Sequence, residues 1–169
     1  MKNIQAAADF MTWDEHDHSG CVETALRFAE EICLARGVRL TELRRRVLEL
    51  VWSGHKPIGA YALLEQLQPG GRAAPPTVYR ALDFLLEQGL IHRLSSLNAY
   101  VGCPRPGEPH AGQFLICESC QNLTELRDGA IEEAIERSVQ RSGFAPSRQT
   151  VEILGRCPQC RETAGEEQR

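Results

Sequence analysis

The chain has no apolar run near the roughly 18 residues that a membrane span requires. Its first twenty residues, MKNIQAAADFMTWDEHDHSG, carry one lysine. They lack the apolar stretch of about 7–15 residues that marks a secretory signal. These two absences lead to the expectation of a cytoplasmic protein without a membrane partner. Aromatic residues are scarce at 6%, but apolar residues reach 42% and charged residues 25%, enough for a core. Glycine and proline make up only 23 of 169 residues, which argues against a wholly disordered chain. No internal repeat is visible, and the length gives room for one domain or two small ones. In a reducing compartment, seven cysteines point to metal ligands or reactive thiols rather than a disulfide framework.

Charge of the sign that suits nucleic acid is also lacking overall, since the net charge is −4. The average hides a basic segment. From Arg36 to Arg93 there are nine lysines and arginines against five acidic residues, and the remainder is strongly acidic. Screening limits a surface field to about 8 Å at physiological salt, so the local patch matters more than the total.

Apolar periodicity predicts a helix over 22–36, with Val22, Leu26, Ala29 and Cys33 on one face and Gly37 as its stop. Cys33 reads as a core residue. Thr41 caps a second helix that buries Leu43, Val47 and Leu50/Val51. A third, short helix carries Ala60, Leu63, Leu64 and Leu67. A fourth opens at Pro75-Pro76-Thr77, buries Val78, Ala81, Leu82, Leu85 and Leu86, and ends at Gly89. Strands over 90–94 and 99–102 flank a turn at 95–98. Helices followed by a hairpin form the pattern of a winged helix-turn-helix. The Pro- and Gly-rich stretch 104–112 reads as a hinge. Beyond it come strands over 113–117 and 122–126, a helix over 128–142 bearing Ile131, Ile135 and Val139, and a strand over 150–154. The expected class is α/β in the α+β sense. A flexible acidic tail covers 1–21, a winged-helix DNA-binding domain 22–103, a small α/β domain 113–162 and a frayed tail 163–169.

The strongest chemical signal is the pair of motifs Cys117-x2-Cys120 and Cys157-x2-Cys160. Zinc takes four ligands at tetrahedral corners, and two residues between cysteines let one tight turn present both sulfurs to one ion. The 36 residues between the pairs exceed a simple zinc ribbon, so the insert must fold and bring its ends together. Four sulfurs close the shell, which makes the site structural. His92, Cys103 and His110 form a second set of soft and borderline ligands around the hinge. Spacing leaves its fourth ligand open between Glu118 and Glu125. His16-x-His18-x2-Cys21 also has ligand spacing, but it lies in a segment without a scaffold and is read as tail.

The fourth helix has the layout of a DNA reader. With its apolar row inward, Arg80 faces outward, placed for a bidentate contact to guanine. Thr77 and Tyr79 flank the N-terminus, where phosphates are favoured. Tyr61 is a candidate second contact, and Arg44, Arg45 and Arg46 supply charge, with at most some of them able to face the backbone. The acidic Asp83 and Glu87 lie farther along.

The segment PPTVYRALDFLLEQGLIHR (75–93), then SSLNAYVGC, HAGQFLICESC and the final CPQC, resembles the zinc uptake regulator branch of the ferric uptake regulator family. The resemblance spans roughly residues 22–160. It implies a dimeric repressor with a winged-helix domain and an α/β dimerisation domain. It also implies two zinc ions per chain. A structural one falls on Cys117, Cys120, Cys157 and Cys160, and a regulatory one on His92, Cys103, His110 and Glu125. The family's DNA-contacting tyrosine and arginine match Tyr61 and Arg80. Iron-sensing members carry a histidine-rich cluster where this chain has only His110 before Ala-Gly-Gln, which favours zinc over iron. The expected function is zinc-dependent binding to double-stranded operator DNA by a homodimer, controlling zinc-uptake genes. The competing readings are a relative sensing iron, manganese or peroxide, and a zinc-stapled interaction protein that never touches DNA. No enzyme and no small-molecule substrate are expected. No histidine precedes by two positions a glutamate free for catalysis, and both cysteine pairs are used in a closed shell.

Overall fold

The computed structural model describes residues 18–54, 56–67, 74–108 and 110–166. They form two compact units that divide between residues 109 and 110. Each unit has its own three-stranded sheet.

The N-terminal unit is built from four helices and a small antiparallel sheet. Helix α1 (His18–Ala35) starts four residues before the expected Val22, so 18–21 are helical rather than tail. The rest of the tail expected over 1–21 lies outside the described residues. Ala25, Leu26, Ala29 and Cys33 are buried along one face. Gly37, at φ +66, ends the helix in a left-handed turn that Val38 closes by donating to the Cys33 carbonyl at 3.0 Å. Helix α2 (Glu42–Trp52) is capped by Thr41, whose hydroxyl accepts from the Arg44 N–H, and buries Val47, Leu48, Leu50, Val51 and Trp52. Leu43, expected inside, is half-buried.

Strand β1 (Ile58–Gly59) was not predicted, because two residues carry no periodicity. It leads into α3 (Ala60–Leu67), which buries Ala60, Leu63, Leu64 and Leu67 as expected. Helix α4 (Pro75–Glu87) buries Val78, Ala81, Leu82 and Leu85, but Phe84 joins them and Leu86 is only half-buried. The helical wheel puts 84 and 86 on opposite flanks. The α2 side covers Phe84, with the Arg44 guanidinium 3.5 Å from the ring centroid. Strands β2 (Ile91–Leu94) and β3 (Ala99–Gly102) form the wing, and β3 is central in the order β1-β3-β2. Gly102 lies against the Trp52 indole, where a Cβ would overlap the ring, so the wing is seated directly on α2.

The linker is shorter than the expected 104–112. Gly107 packs beside Ile32 of α1, Arg105 pairs with Glu108 at 3.6 Å, and Gly112 already opens the next strand.

The C-terminal unit centres on β4 (Gly112–Cys117), which is almost wholly buried. It pairs antiparallel with β5 (Leu123–Glu125) and parallel with β6 (Thr150–Gly155). Parallel neighbours need a crossover. Helix α5 (Gly129–Ser142) lies on that route, capped by the Asp128 carboxylate on the Ala130 N–H at 2.8 Å and ended by Gly143 at φ +67. None of its residues is fully buried, and Ile131, Ile135 and Val139 are half-buried. The polar end expected to fray instead forms α6 (Pro158–Glu166), with proline in its first turn. Residues 167–169 lie outside the described residues. No helix among the described residues is long and apolar enough to cross a membrane.

Candidate metal centres and nucleic-acid interface

The register of β4 and β6 builds the four-cysteine centre. Cys117 ends β4 opposite Gly155, so the chain leaving β6 delivers Cys157 beside it. The Cys157 N–H donates to the Cys117 sulfur at 3.4 Å. The turn after Cys117 closes when Gln121, at φ +61, donates to the Cys117 carbonyl at 2.9 Å, which swings Cys120 back towards its partner. Cys160 sits in the first turn of α6. All four sulfurs lie within 4.8 Å of one another, and Cys120 and Cys157 are 3.7 Å apart. A tetrahedron with Zn–S bonds near 2.3 Å has edges of about 3.8 Å, so the donor set fits zinc in number, softness and size.

The thiols crowd one another in charge as well. Backbone N–H groups of Cys120 and Cys157 pull the Cys117 thiol down to about 6. Hydrogen bonds with the Cys157 and Cys120 sulfurs push the Cys160 thiol up to about 12. Four thiolates at this spacing need a cation among them.

The residues of the second candidate set fall in two pairs, one in each unit. In the N-terminal unit, His92 on β2 faces Val101 on β3, and Cys103 follows β3 with its N–H bonded to the Leu90 carbonyl at 3.0 Å. Their ligand atoms lie within 4.8 Å of each other, and Cys103 is 1% exposed. In the C-terminal unit, Glu125 lies opposite Phe114 of β4, buried at 6% exposure. Its Oε1 is 3.4 Å from His110 Nε2, a side chain exposed to only 7%. A carboxylate this buried requires a cationic partner or hydrogen-bond donors. Glu118, the other carboxylate that spacing allowed, is exposed in the turn between Cys117 and Cys120. Of the N-terminal His16-x-His18-x2-Cys21 set, His16 and the His18 side chain lie outside the described residues, and Cys21 packs half-buried against the core.

On α4, Thr77, Tyr79 and Arg80 are exposed at the N-terminal end, and Tyr61 at the start of α3 is 76% exposed. Ala74 offers no side-chain cap, and the Thr77 N–H turns back to the Ala74 carbonyl at 2.9 Å. The basic run on α2 is spent largely within the protein, in line with the expectation that at most some of it faces a DNA backbone. Arg45 pairs with Glu30 of α1 and with Glu49, and Arg46 pairs with Glu49 at 2.8 Å. Arg44 lies on the Phe84 ring. Sequence reasoning had no signal for these partners, since a run of arginines does not reveal which carboxylate or ring it meets.

Residues 35–154 match the ferric uptake regulator family. The zinc uptake regulation protein of Escherichia coli (strain K12) is 41% identical over 136 residues, covering 79% of this chain and 80% of that protein. A solved zinc uptake regulator complexed with zinc and DNA superposes with a TM-score of 0.80 at 39% identity, covering 85% of this chain and 97% of that one. The crystal structure of holo XcZur superposes at 0.75 with 41% identity, covering 82% and 98%.

Proposed function

The chain belongs to the ferric uptake regulator family, and on that premise we propose that it is a zinc-responsive, DNA-binding transcriptional repressor of zinc-uptake genes. The observation that carries this reading is the pair of prepared half-sites, His92 with Cys103 and His110 with Glu125, one in each compact unit. Zinc held by these four residues supplies the bond that joins the halves. The buried thiol of Cys103 makes the set softer than an all-histidine and carboxylate site, which favours zinc over manganese or magnesium. With the joint closed, the two α4 helices of a homodimer keep a fixed separation, which must match half-sites about 34 Å apart. With it open, the reading helices sample separations that few duplex sites fit. Binding to DNA tightens zinc binding in return.

The four-cysteine centre holds a second zinc, giving two per chain. Four protein ligands fill each proposed shell, so neither keeps an open position for the water that metal hydrolysis needs. The homodimer is supported by β6, an edge strand whose Ile153 and Leu154 are each 46% exposed, together with Phe144 at 68%. An apolar edge of this kind calls for a partner.

The test is operator binding by the purified dimer with zinc, iron(II) and manganese(II) added in turn, alongside zinc content before and after mild chelation. Two zinc ions, one easily removed, with operator affinity following the removable one, is the expected result. Affinity that follows iron or manganese, or that ignores metal, overturns the reading.

Arg80 reads bases in this scheme, with Tyr61, Thr77 and Tyr79 contacting the backbone or groove edge. Arg80→Ala lowers the preference for operator over random duplex by about 1–3 kcal/mol. Competition binding measures the ratio, and an unchanged ratio removes Arg80 from base readout.

A further inference from the structure

We propose that Arg44 and Arg36 are positioning residues for the reading helix: they clamp α4 from its protein side and do not neutralise phosphate. The proposal rests on the DNA-reading role of α4 given above.

The basic segment looks in sequence like a source of phosphate contacts, yet both side chains are engaged by groups of the protein itself. The Arg44 guanidinium sits 3.5 Å from the centroid of the Phe84 ring, and Phe84 is only 8% exposed. The same guanidinium donates to the Arg39 carbonyl, which holds its plane in place. Phe84 lies one helical turn after Arg80, on the same side of α4. A cation packed on that ring therefore fixes the roll of the helix one turn from the base-reading side chain. Arg36 holds the other end. It donates to the Gln88 carbonyl at 2.9 Å and to the Gln88 Oε1 at 3.1 Å. Gln88 is the C-cap of α4, where carbonyls lack helical partners and the helix dipole favours a cation.

The two contacts reach α4 from different elements. Arg44 comes from α2, and Arg36 follows the last residue of α1. Roll is set at one point and the helix end at another. Bidentate contact with a guanine tolerates little error in either, since hydrogen bonds weaken steeply as they bend.

The experiment compares the zinc-loaded wild type with Arg44→Met, Arg36→Gln and Phe84→Leu. The probes are a duplex that the wild type selects from a random library and a random duplex of equal length, over a range of salt. Arg44→Met is expected to lower the operator-over-random ratio by about threefold to thirtyfold, the size of a cation–π anchor. The dependence of affinity on salt stays unchanged. In an Arg80→Ala background, Arg44→Met costs nothing further, because positioning acts only through the reader. Phe84→Leu, which keeps an apolar core residue, reproduces the loss and serves where Arg44→Met fails to fold. Arg36→Gln shows the same pattern at smaller size.

A salt slope lower by about one shows a direct phosphate contact and overturns the clamp. An unchanged ratio, or full additivity with Arg80→Ala, overturns it as well. A wild type that does not distinguish the selected duplex from random DNA sinks the DNA-reading role itself, a separate result.

Discussion

Cys120→Ser is expected to unfold the C-terminal unit and leave the N-terminal unit folded. The C-terminal unit is short and its core thin, with Phe114, Ile116, Cys117 and Leu123 as the buried apolar residues among those described. Helix α5 buries nothing completely, and two apolar residues of β6 are nearly half exposed. A unit of this size with so thin a core is marginal on hydrophobic burial alone. Four cysteine ligands make up the deficit, because metal binding to a structural site is folding free energy of order 10 kcal/mol. That is comparable to the whole stability of an ordinary domain, about 5–15 kcal/mol. The N-terminal unit has a separate core, with Val47, Leu63, Val78, Leu82 and Leu85 all fully buried. The expected result is therefore selective. Amide exchange protection vanishes from 112–117 and 150–155, persists over 47–52 and 78–85, and self-association is lost with it. Chelation strong enough to empty the centre gives the same pattern in the wild type. Retained protection in β4 and β6 after zinc loss would show that the sheet stands without its staple.

Much of this was legible because helices announce themselves by period. Val78, Ala81, Leu82 and Leu85 fall on one face whatever covers them, so α4 and its inward row follow from spacing. Phe84 and Leu86 mark where that reasoning stops. Both are apolar and both lie at the edge of the face, and which is covered depends on the neighbours that pack there: Phe84 joins the core with the Arg44 guanidinium on its ring. The cysteine pairs were legible for a different reason, since two residues between sulfurs is a local geometric statement that survives any fold around it. The choice of Glu125 over Glu118 was not local. Glu125 meets His110 because β5 pairs with β4 in the register that sets Phe114 against Glu125, and register is a tertiary property. Helix α6 hid behind its polar composition, although Pro158 in its first turn was a usable start signal. The arginines of α2 were the furthest from view. Their charge is plain in the sequence, but whether each meets Glu30, Glu49, an aromatic ring or a phosphate depends on neighbours that the sequence places far away.

Cys103→Ser should uncouple DNA binding from zinc without unfolding the protein. Serine replaces sulfur by a smaller, harder oxygen whose hydroxyl does not ionise near neutral pH, so the thiolate that favours zinc is gone. Loss of an outer-sphere partner alone typically costs tenfold to about a hundredfold in metal affinity, and a direct ligand should cost more. The fold is protected on two counts. The backbone N–H of residue 103 still bonds to the Leu90 carbonyl, and the four-cysteine centre is in the other unit. The substituted protein should therefore remain a dimer with one zinc per chain instead of two, and should bind operator weakly whether or not zinc is added. Glu125→Gln tests the same joint from the other side, since it removes the charge that faces His110 at 3.4 Å. Glu118→Gln is the matched control, because that exposed carboxylate takes no part in the proposed site. The measurements are zinc per chain, sedimentation and operator affinity with and without zinc. If Cys103→Ser keeps two zinc ions and the full zinc response, or if Glu118→Gln loses the response while Glu125→Gln keeps it, the assigned ligands are wrong and the switch lies elsewhere.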